Sequence, residues 1–480
     1  MALVLLAATL LSPASIYLDY AVMNPPLLKL TQVVVASFAL LFAVWALLRR
    51  RFGEMVGMVA ALWWIVITTS GRVLSGVESP IVRLAVVLSI LALVLMVVRV
   101  FRRQVGSWVL VASVISIVTT LGQLVIASVR NPDPEPSAAI SEVISQRKEG
   151  SLYLIVLDGY GDPVEGDPGI SEFFSDLEQE GFAIANDAIS NYSYTHASVS
   201  NVLSLEHRFT HGSEPVGAMF NAIQGSNEMR AFLEGAGFRY VHIESGWAGS
   251  RCGPTVRNCV PGRFVDGFVW QTLEMTYFKQ YLEQNVPHPY VQGALHSLDA
   301  IAQHGRHEDS GSDFVFAHIL IPHPPLQLDA ECKVVIDPRL QGQLLGVQGM
   351  NEATREFREA GYRSQRACVN QKILSTIGDL PSDASVVITA DHGTDFLGQL
   401  EKEPKNWSVA DVEERFRIFH AARLPRACEI PTERDLINLV RSEVGCIGGE
   451  NLPSLAPYFE ITPYFTTEFE ARVLLDHEIP

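Results

Sequence analysis

Apolar residues crowd the first 130 positions of this 480-residue chain, in five stretches at about 3–20, 28–48, 55–71, 80–98 and 107–128. Each comes near the roughly 20 residues that a helix needs to cross the hydrocarbon core of a bilayer, the third being short. Membrane crossing is the preferred reading over buried helices of a soluble core. The connecting loops orient the spans. Arg49, Arg50 and Arg51 lie between the second and third, and Arg99, Arg102 and Arg103 between the fourth and fifth. Basic loops stay in the cytoplasm. Five spans with a cytoplasmic N-terminus then leave everything after residue 130 outside. The first span lacks the basic n-region of a signal peptide, and its cleavage would not change the side on which the rest lies.

Charge divides the chain at the same place. Residues 1–130 hold ten basic and three acidic residues, a net +7; with the whole chain at −17, the remainder carries −24. Nucleic-acid binding needs a basic footprint and is not expected. All six cysteines (Cys252, Cys259, Cys332, Cys368, Cys428, Cys446) follow the last span. An even number in an extracytoplasmic region points to disulfides. Proximity favours Cys252–Cys259, Cys332–Cys368 and Cys428–Cys446 among the connectivities open to them. No Cys-x-x-Cys pair offers a thiolate zinc site. The expected organisation is a transmembrane helical domain over 1–130, a proline-bearing linker over 131–150, and an extracytoplasmic domain over 151–480.

That last region alternates helices with short apolar strands, the pattern of an α/β domain with a central, mostly parallel sheet. Strands are predicted at Leu152 to Leu157, Tyr240 to Ile243, Phe314 to Ile321 and 385–390. Helices are predicted at Ser171 to Gly181, Arg230 to Gly237 and Arg355 to Ile377. Residues 265–312 and 337–355 show weak periodicity and read as surface excursions. Ligands in such sheets sit beyond the carboxyl ends of the strands, and three predicted ends carry ionisable groups: Asp158, His323, and the pair Asp391-His392. Asp oxygen and His nitrogen both suit Zn²⁺ or Mn²⁺; a turn with a solvated Asp and His is the competing reading. In SNYSYTHASVSNVLSL, 190–205, Thr195 falls near a helix N-terminus, where the dipole and free N–H groups favour negative charge. A metal would activate its hydroxyl as a nucleophile; a helix N-cap is the alternative. His318, on the strand leading to His323, reads as a satisfied core histidine.

These pieces together resemble the alkaline phosphatase/sulfatase superfamily. More narrowly they are similar to its membrane-anchored branch, which includes lipoteichoic acid synthases and phosphoethanolamine transferases. The resemblance covers roughly 150–430 and rests on order: strand-Asp-Gly, Asn-Tyr-x-x-Thr with a small-residue helix, a His-Pro segment, Asp-His-Gly, and RFRIFHAARLP (415–425) as a last core strand. It implies an alkaline phosphatase-like fold, with Asp158, Thr195, Asp391 and His392 as ligands of one divalent metal ion. Zn²⁺ or Mn²⁺ is expected first, with Ca²⁺ or Mg²⁺ as alternatives. It implies Thr195 as nucleophile and His323, in Pro322-His323-Pro324-Pro325, near the phosphoryl oxygens or the leaving group. Two departures stand out. The narrower branch carries Glu where this chain has Asp158. Formylglycine sulfatases need Pro two positions and Arg four positions after a Cys or Ser; Cys252-Gly-Pro-Thr-Val-Arg257 has its arginine one position late.

The expected activity is a membrane-anchored, metal-dependent transfer of a phosphoglycerol- or phosphoethanolamine-like group from a membrane lipid donor to an envelope glycan or lipid acceptor. A phosphodiesterase or phosphatase using the same residues is the second reading. A catalytically silent envelope scaffold is the third.

Overall fold

The computed structural model describes residues 2–19, 27–52, 59–61, 64–65, 68, 89, 96, 113–118 and 150–480, the last range without 162–167, 186, 212–214, 277–278, 308–311, 343, 348, 429–430 and 464–468. The chain forms two compact units: Met1–Pro132 with Val265–Val286, and Asp133–Phe264 with Pro287–Pro480.

In the first unit, the helices Ala2–Asp19 and Leu27–Phe52 form an antiparallel hairpin. Leu5 and Ala8 pack with Leu41 and Trp45 at one end, and Leu10 and Ala14 with Leu30 and Val34 at the other. Five spans were expected. Among the described residues, one helix, Leu30–Arg50, is long and apolar enough to cross a membrane, with mean hydropathy 2.2. The first span forms a helix of 18 residues with Pro13 inside it and Asp19 at its end. At 1.5 Å per residue that is about 27 Å, short of the roughly 30 Å hydrocarbon core. The spans at 55–71, 80–98 and 107–128, and the linker after them, lie largely outside the described residues.

The excursion Val265–Val286 folds with this hairpin. It carries the helices Gly267–Glu274 and Lys279–Asn285, and the Asp266 carboxylate caps the first by accepting from the N–H groups of Phe268 and Val269. Phe268 belongs to the cluster of Leu10, Ala14, Leu30 and Val34, its ring edge-on to Tyr17 at 6.2 Å. It therefore meets the hairpin at the end away from Arg49–Arg51. The positive-inside rule would put that end of the hairpin on the outer face.

The second unit is built on a seven-stranded sheet of order β2-β7-β6-β1-β5-β3-β4: β1 Leu152–Leu157, β2 Ala183–Ile184, β3 Arg239–Ile243, β4 Asn258–Val260, β5 Asp313–Ile319, β6 Ser385–Ala390 and β7 His420–Arg423. β6, β1, β5, β3 and β4 run parallel, and β7 is antiparallel to both β6 and β2. Every residue of β1, β5 and β6 is buried, as continuous apolar runs in a helix-covered parallel sheet require. At about 1.5–3 kcal/mol per buried large aliphatic side chain, these strands can carry ionisable groups at their ends without losing their register. A second, two-stranded sheet joins β8 Glu460–Ile461 to β9 Arg472–Val473.

Two sequence expectations change. Residues 289–305 are a helix, Pro289–Gly305, which packs on β5 and buries Val291, Ala294, Leu298 and Ile301; that helical spacing was hidden among glycine, histidine and serine. The segment 415–425 is not one strand: Arg415 and Phe416 end the helix Val409–Phe416, and only His420–Arg423 pairs with β6. The three disulfides are Cys252–Cys259, Cys332–Cys368 and Cys428–Cys446, as proximity favoured.

With all six cysteines paired, a single introduced cysteine reports topology. Lys405→Cys, in the exposed part of the second unit, should react with a membrane-impermeant maleimide on intact cells. Arg50→Cys should react only after permeabilisation. Labelling of Arg50→Cys in intact cells would reverse the orientation.

Candidate active site

The register that pairs Leu157 with Ala390 makes Asp158 and Asp391 the next residues on two adjacent parallel strands, so their carboxyls leave the sheet side by side. Local bonds hold them there. The Asp158 N–H donates to the Ile319 carbonyl at 2.9 Å. Asp391 Oδ1 accepts from the N–H groups of Gly159 (3.0 Å) and His392 (2.9 Å). The Asp391 carbonyl accepts from the hydroxyls of Ser190 at 2.5 Å and Ser198 at 2.7 Å. This explains the small residues of the helix Thr195–Ser204: Ala197, Ser198 and Ser200 are buried, and a larger side chain at 198 would push the helix off the Asp391 turn. Gly393 is needed for the same closeness. A Cβ there would lie 2.2 Å from the Glu414 carbonyl oxygen.

Thr195 is the first residue of its helix, and Tyr194 is the N-cap, without a side-chain capping bond. The threonine hydroxyl thus does not cap the helix; it lies 3.0 Å from His392 Nε2. His392 Nδ1 is 3.0 Å from the Gly393 carbonyl. A carbonyl only accepts, so Nδ1 carries the proton and Nε2 presents a lone pair. That lone pair faces Asp391 Oδ2 at 3.2 Å and Asp158 Oδ1 at 3.6 Å. Asp158 and Thr195, far apart in the chain, are thus both brought beside the Asp391-His392 pair.

His318 belongs to this group and was missed. It is fully buried, and its Nε2 is 3.6 Å from Asp158 Oδ2. Its ligand atom and those of Asp158 and Asp391 all lie within 4.8 Å of one another. It is not a satisfied core histidine: among the described residues, His318 Nε2, Asp158 Oδ1 and Asp391 Oδ2 are buried without a hydrogen-bond partner. Nothing in the local sequence could reveal this, because it depends on the β1–β5 register that sets His318 against Val156, two residues before Asp158. Another cluster, Glu244 with Cys252 and Cys259, has both sulfurs in a disulfide.

Buried oxygens and imine nitrogens that face one another are mutually repulsive unless a proton or a metal cation stands between them. The site fits a divalent metal on that ground. Burial pushes the Asp158 carboxyl up to about 7, against the lowering effect of Arg415. Burial and then the Asp158 charge push Asp391 up to about 8. Burial, reinforced by Arg415, holds His392 well below the ordinary histidine range. Arg415 does not pair with either carboxylate. Its guanidinium donates to the carbonyls of Ser193 (2.7 Å) and Gly393 (2.9 Å), tying the Thr195 loop to the Asp391 turn.

His323 follows β5 after a short coil, and its N–H donates to the Asp158 carbonyl at 3.0 Å. Its Nδ1 donates to the Pro324 carbonyl at 2.6 Å, so Nε2 is the free acceptor. The peptide bonds Ile321–Pro322 and Pro324–Pro325 are cis. Thr195 and His323 are partly exposed, whereas Asp158, His318, Asp391 and His392 are buried.

No family model matches the chain, and no curated protein matches it. Among solved structures it is similar to the C-terminal periplasmic domain of EcEptC from Escherichia coli, with TM-score 0.44 and 11% identity over 70% of this chain and 94% of that one. It is also similar to the phosphonate monoester hydrolase SpPMH from Silicibacter pomeroyi (TM-score 0.42, 13% identity, 65% and 79% covered). A third is the lipoteichoic acid synthase LtaP from Listeria monocytogenes (TM-score 0.38, 9% identity, 66% and 78% covered). All three belong to the alkaline phosphatase/sulfatase superfamily, the one that the strand-end motifs resemble. Likenesses of this size bring no chemistry with them; what the site does must come from its side chains.

The raised carboxyls make a pH prediction. An acid whose pKa is higher folded than unfolded contributes stability that is complete below its unfolded value, near 4, and is lost as pH rises through the folded value. Without metal, the midpoint of thermal unfolding should fall between about pH 5 and 8, and less steeply in Asp391→Asn. Metal binds the ionised carboxylates, so the rise in midpoint on adding Zn²⁺ should grow over the same interval. A metal-free midpoint that does not fall with pH, with no response to Zn²⁺, would contradict the site.

Proposed function

We propose that the protein is a membrane-anchored, metal-dependent transferase. It moves a phospho-group, phosphoglycerol- or phosphoethanolamine-like, from a membrane lipid donor to an envelope glycan or lipid acceptor, through Thr195. The observation that carries this reading is the Thr195 hydroxyl. It is partly exposed and lies 3.0 Å from His392 Nε2, beside the buried atoms Asp158 Oδ1, Asp391 Oδ2 and His318 Nε2, which have no hydrogen-bond partner among the described residues.

Asp158, Thr195, Asp391 and His392 would hold the metal. Bound there, a divalent cation lowers the proton affinity of the threonine hydroxyl and offsets charge on the phosphoryl oxygens. Imidazole beside carboxylate favours Zn²⁺ or Mn²⁺ over Mg²⁺ or Ca²⁺, which prefer oxygen donors. In the first half-reaction, Thr195 Oγ1 bonds to phosphorus and the ester bond to the donor oxygen breaks; that oxygen keeps the electron pair and takes up the proton that the Thr195 hydroxyl gives up. In the second, an acceptor hydroxyl attacks phosphorus and Thr195 Oγ1 leaves. Burial and the Arg415 charge lower the His323 pKa, and Nδ1 is committed to Pro324. Neutral His323 therefore suits the second half, taking the acceptor's proton on Nε2, and that proton returns to the departing Thr195 Oγ1. Protonating the first leaving group, its expected role, requires a second proton on a ring whose surroundings disfavour it.

Hydrolysis by the same residues is the second reading, favoured by the partial exposure of Thr195 and His323, which admits water as acceptor. The apolar helix Leu30–Arg50, long enough to cross a membrane, supports transfer from lipid, since it would keep the chain beside a lipid donor.

Thr195→Ala should lower turnover of an aryl phosphodiester by at least about a thousandfold, and Asp391→Ala should lose bound metal. Mass spectrometry of the full-length protein after exposure to native lipid extract should find a phospho-adduct on Thr195, absent from Thr195→Ala. Undiminished turnover by Thr195→Ala would remove the nucleophile assignment. Release of the group to water alone, with no glycan or lipid product, would favour the hydrolase.

A further inference from the structure

We propose that His318 is a direct metal ligand of this site through Nε2, held in the ligating form by Ser250 of the loop that the Cys252–Cys259 disulfide closes. The inference rests on the metal-dependent reading above and deepens it.

Three observations carry it. First, His318 Nε2 is fully buried, unpartnered among the described residues, and aimed at a carboxylate oxygen. Secondly, the spacing is wrong for a hydrogen bond and right for two ligands of one ion. A nitrogen and an oxygen 3.6 Å apart do not hydrogen-bond. Two ligand atoms on a tetrahedral ion with bonds of about 2.0–2.1 Å stand about 3.4 Å apart. The neighbouring distances from His392 Nε2, 3.2 Å to Asp391 and 3.6 Å to Asp158, are of the same size. Asp158 thus turns one oxygen to each imidazole.

Thirdly, the far side of the ring is fixed. His318 Nδ1 lies 3.2 Å from Ser250 Oγ, and Ser250 Oγ lies 2.5 Å from Ser245 Oγ. Ser250 can donate its own proton to Ser245 and accept that of Nδ1, which leaves Nε2 with its lone pair. Ligating histidines commonly donate their other N–H in this manner. The Trp247 ring stands edge-on to His318 at 5.7 Å, and the Ser250 carbonyl accepts from His242 Nε2 at 3.1 Å. The loop itself is closed by Cys252–Cys259 and by Glu244, whose carboxylate accepts from the N–H groups of Cys252 and Gly262. The Cys-Gly-Pro segment that falls one position short of a formylglycine signal thus serves differently, by holding Ser250 behind His318. A second imidazole also moves the donor set further towards Zn²⁺ and away from Mg²⁺ and Ca²⁺.

The test uses full-length protein in detergent, stripped with a chelator and reloaded with Zn²⁺. X-ray absorption at the zinc edge should count two imidazoles in the wild type and one in His318→Ala. Competition against a chromophoric chelator should show Zn²⁺ affinity falling by at least about tenfold in His318→Ala, and by about 10–100-fold in Ser250→Ala. One imidazole in the wild-type spectrum would overturn the proposal, with no variant needed. So would a folded His318→Ala protein that binds Zn²⁺ as tightly as the wild type. Either result leaves the metal and Thr195 in place. A wild type that binds no Zn²⁺ would end both readings, and an active Thr195→Ala variant would end the nucleophile alone.

Discussion

Two carboxyls emerge together from the buried centre of a parallel sheet, and the catalytic unit is organised around that arrangement. Asp158 and Asp391 are brought together by the Leu157–Ala390 register, and burial raises both above the ordinary carboxylate range, Asp391 with the added repulsion of Asp158. An isolated ionised carboxylate in such surroundings costs several kcal/mol; two, with imidazole lone pairs facing them, cost a large part of the stability of an ordinary domain. The fold tolerates them because β1, β5 and β6 are otherwise buried along their whole length; the divalent cation proposed for the site would turn the repulsion into binding energy.

The neighbouring elements are shaped to hold that point steady. Ser190 and Ser198 clasp the Asp391 carbonyl, Gly393 lets the turn press against the end of the helix Val409–Phe416, and Arg415 joins the Ser193 and Gly393 carbonyls. These groups direct their hydrogen bonds to the backbone, and Asp158 Oδ1, Asp391 Oδ2 and His318 Nε2 keep no hydrogen-bond partner among the described residues. Thr195 inherits its position from this packing. A helix made small on one face can approach the Asp391 turn, and its first residue then falls at His392 Nε2.

The first unit adds a membrane logic that the sheet alone would lack. The excursion Val265–Val286 returns to the hairpin formed by residues 2–52 and packs Phe268 at the end remote from Arg49–Arg51. Its docking position and the loop charges are independent indications of the same outer face. One apolar helix long enough to cross a membrane agrees with the proposed donor, a lipid that stays in the membrane.

Much of this is legible without coordinates, because it depends on local pattern. Continuous apolar runs mark β1, β5 and β6; an acidic residue or an Asp-His-Gly turn after such a run marks a strand end; even cysteines close in sequence pair with their neighbours. From those signals the sequence by itself determined the α/β class and the three disulfide pairings, and the family resemblance singled out Asp158, Thr195, Asp391 and His392, which the fold brings close together. It could not determine that His318 joins them, that Arg415 ends a helix instead of opening a strand, or that residues 265–286 leave the catalytic unit. Each of those depends on which residue lies opposite which across a sheet or a helix interface. A histidine on a buried strand looks the same in sequence whether its nitrogen meets a serine, a phenylalanine or a carboxylate; only the tertiary structure, by fixing register between strands far apart in the chain, decides which.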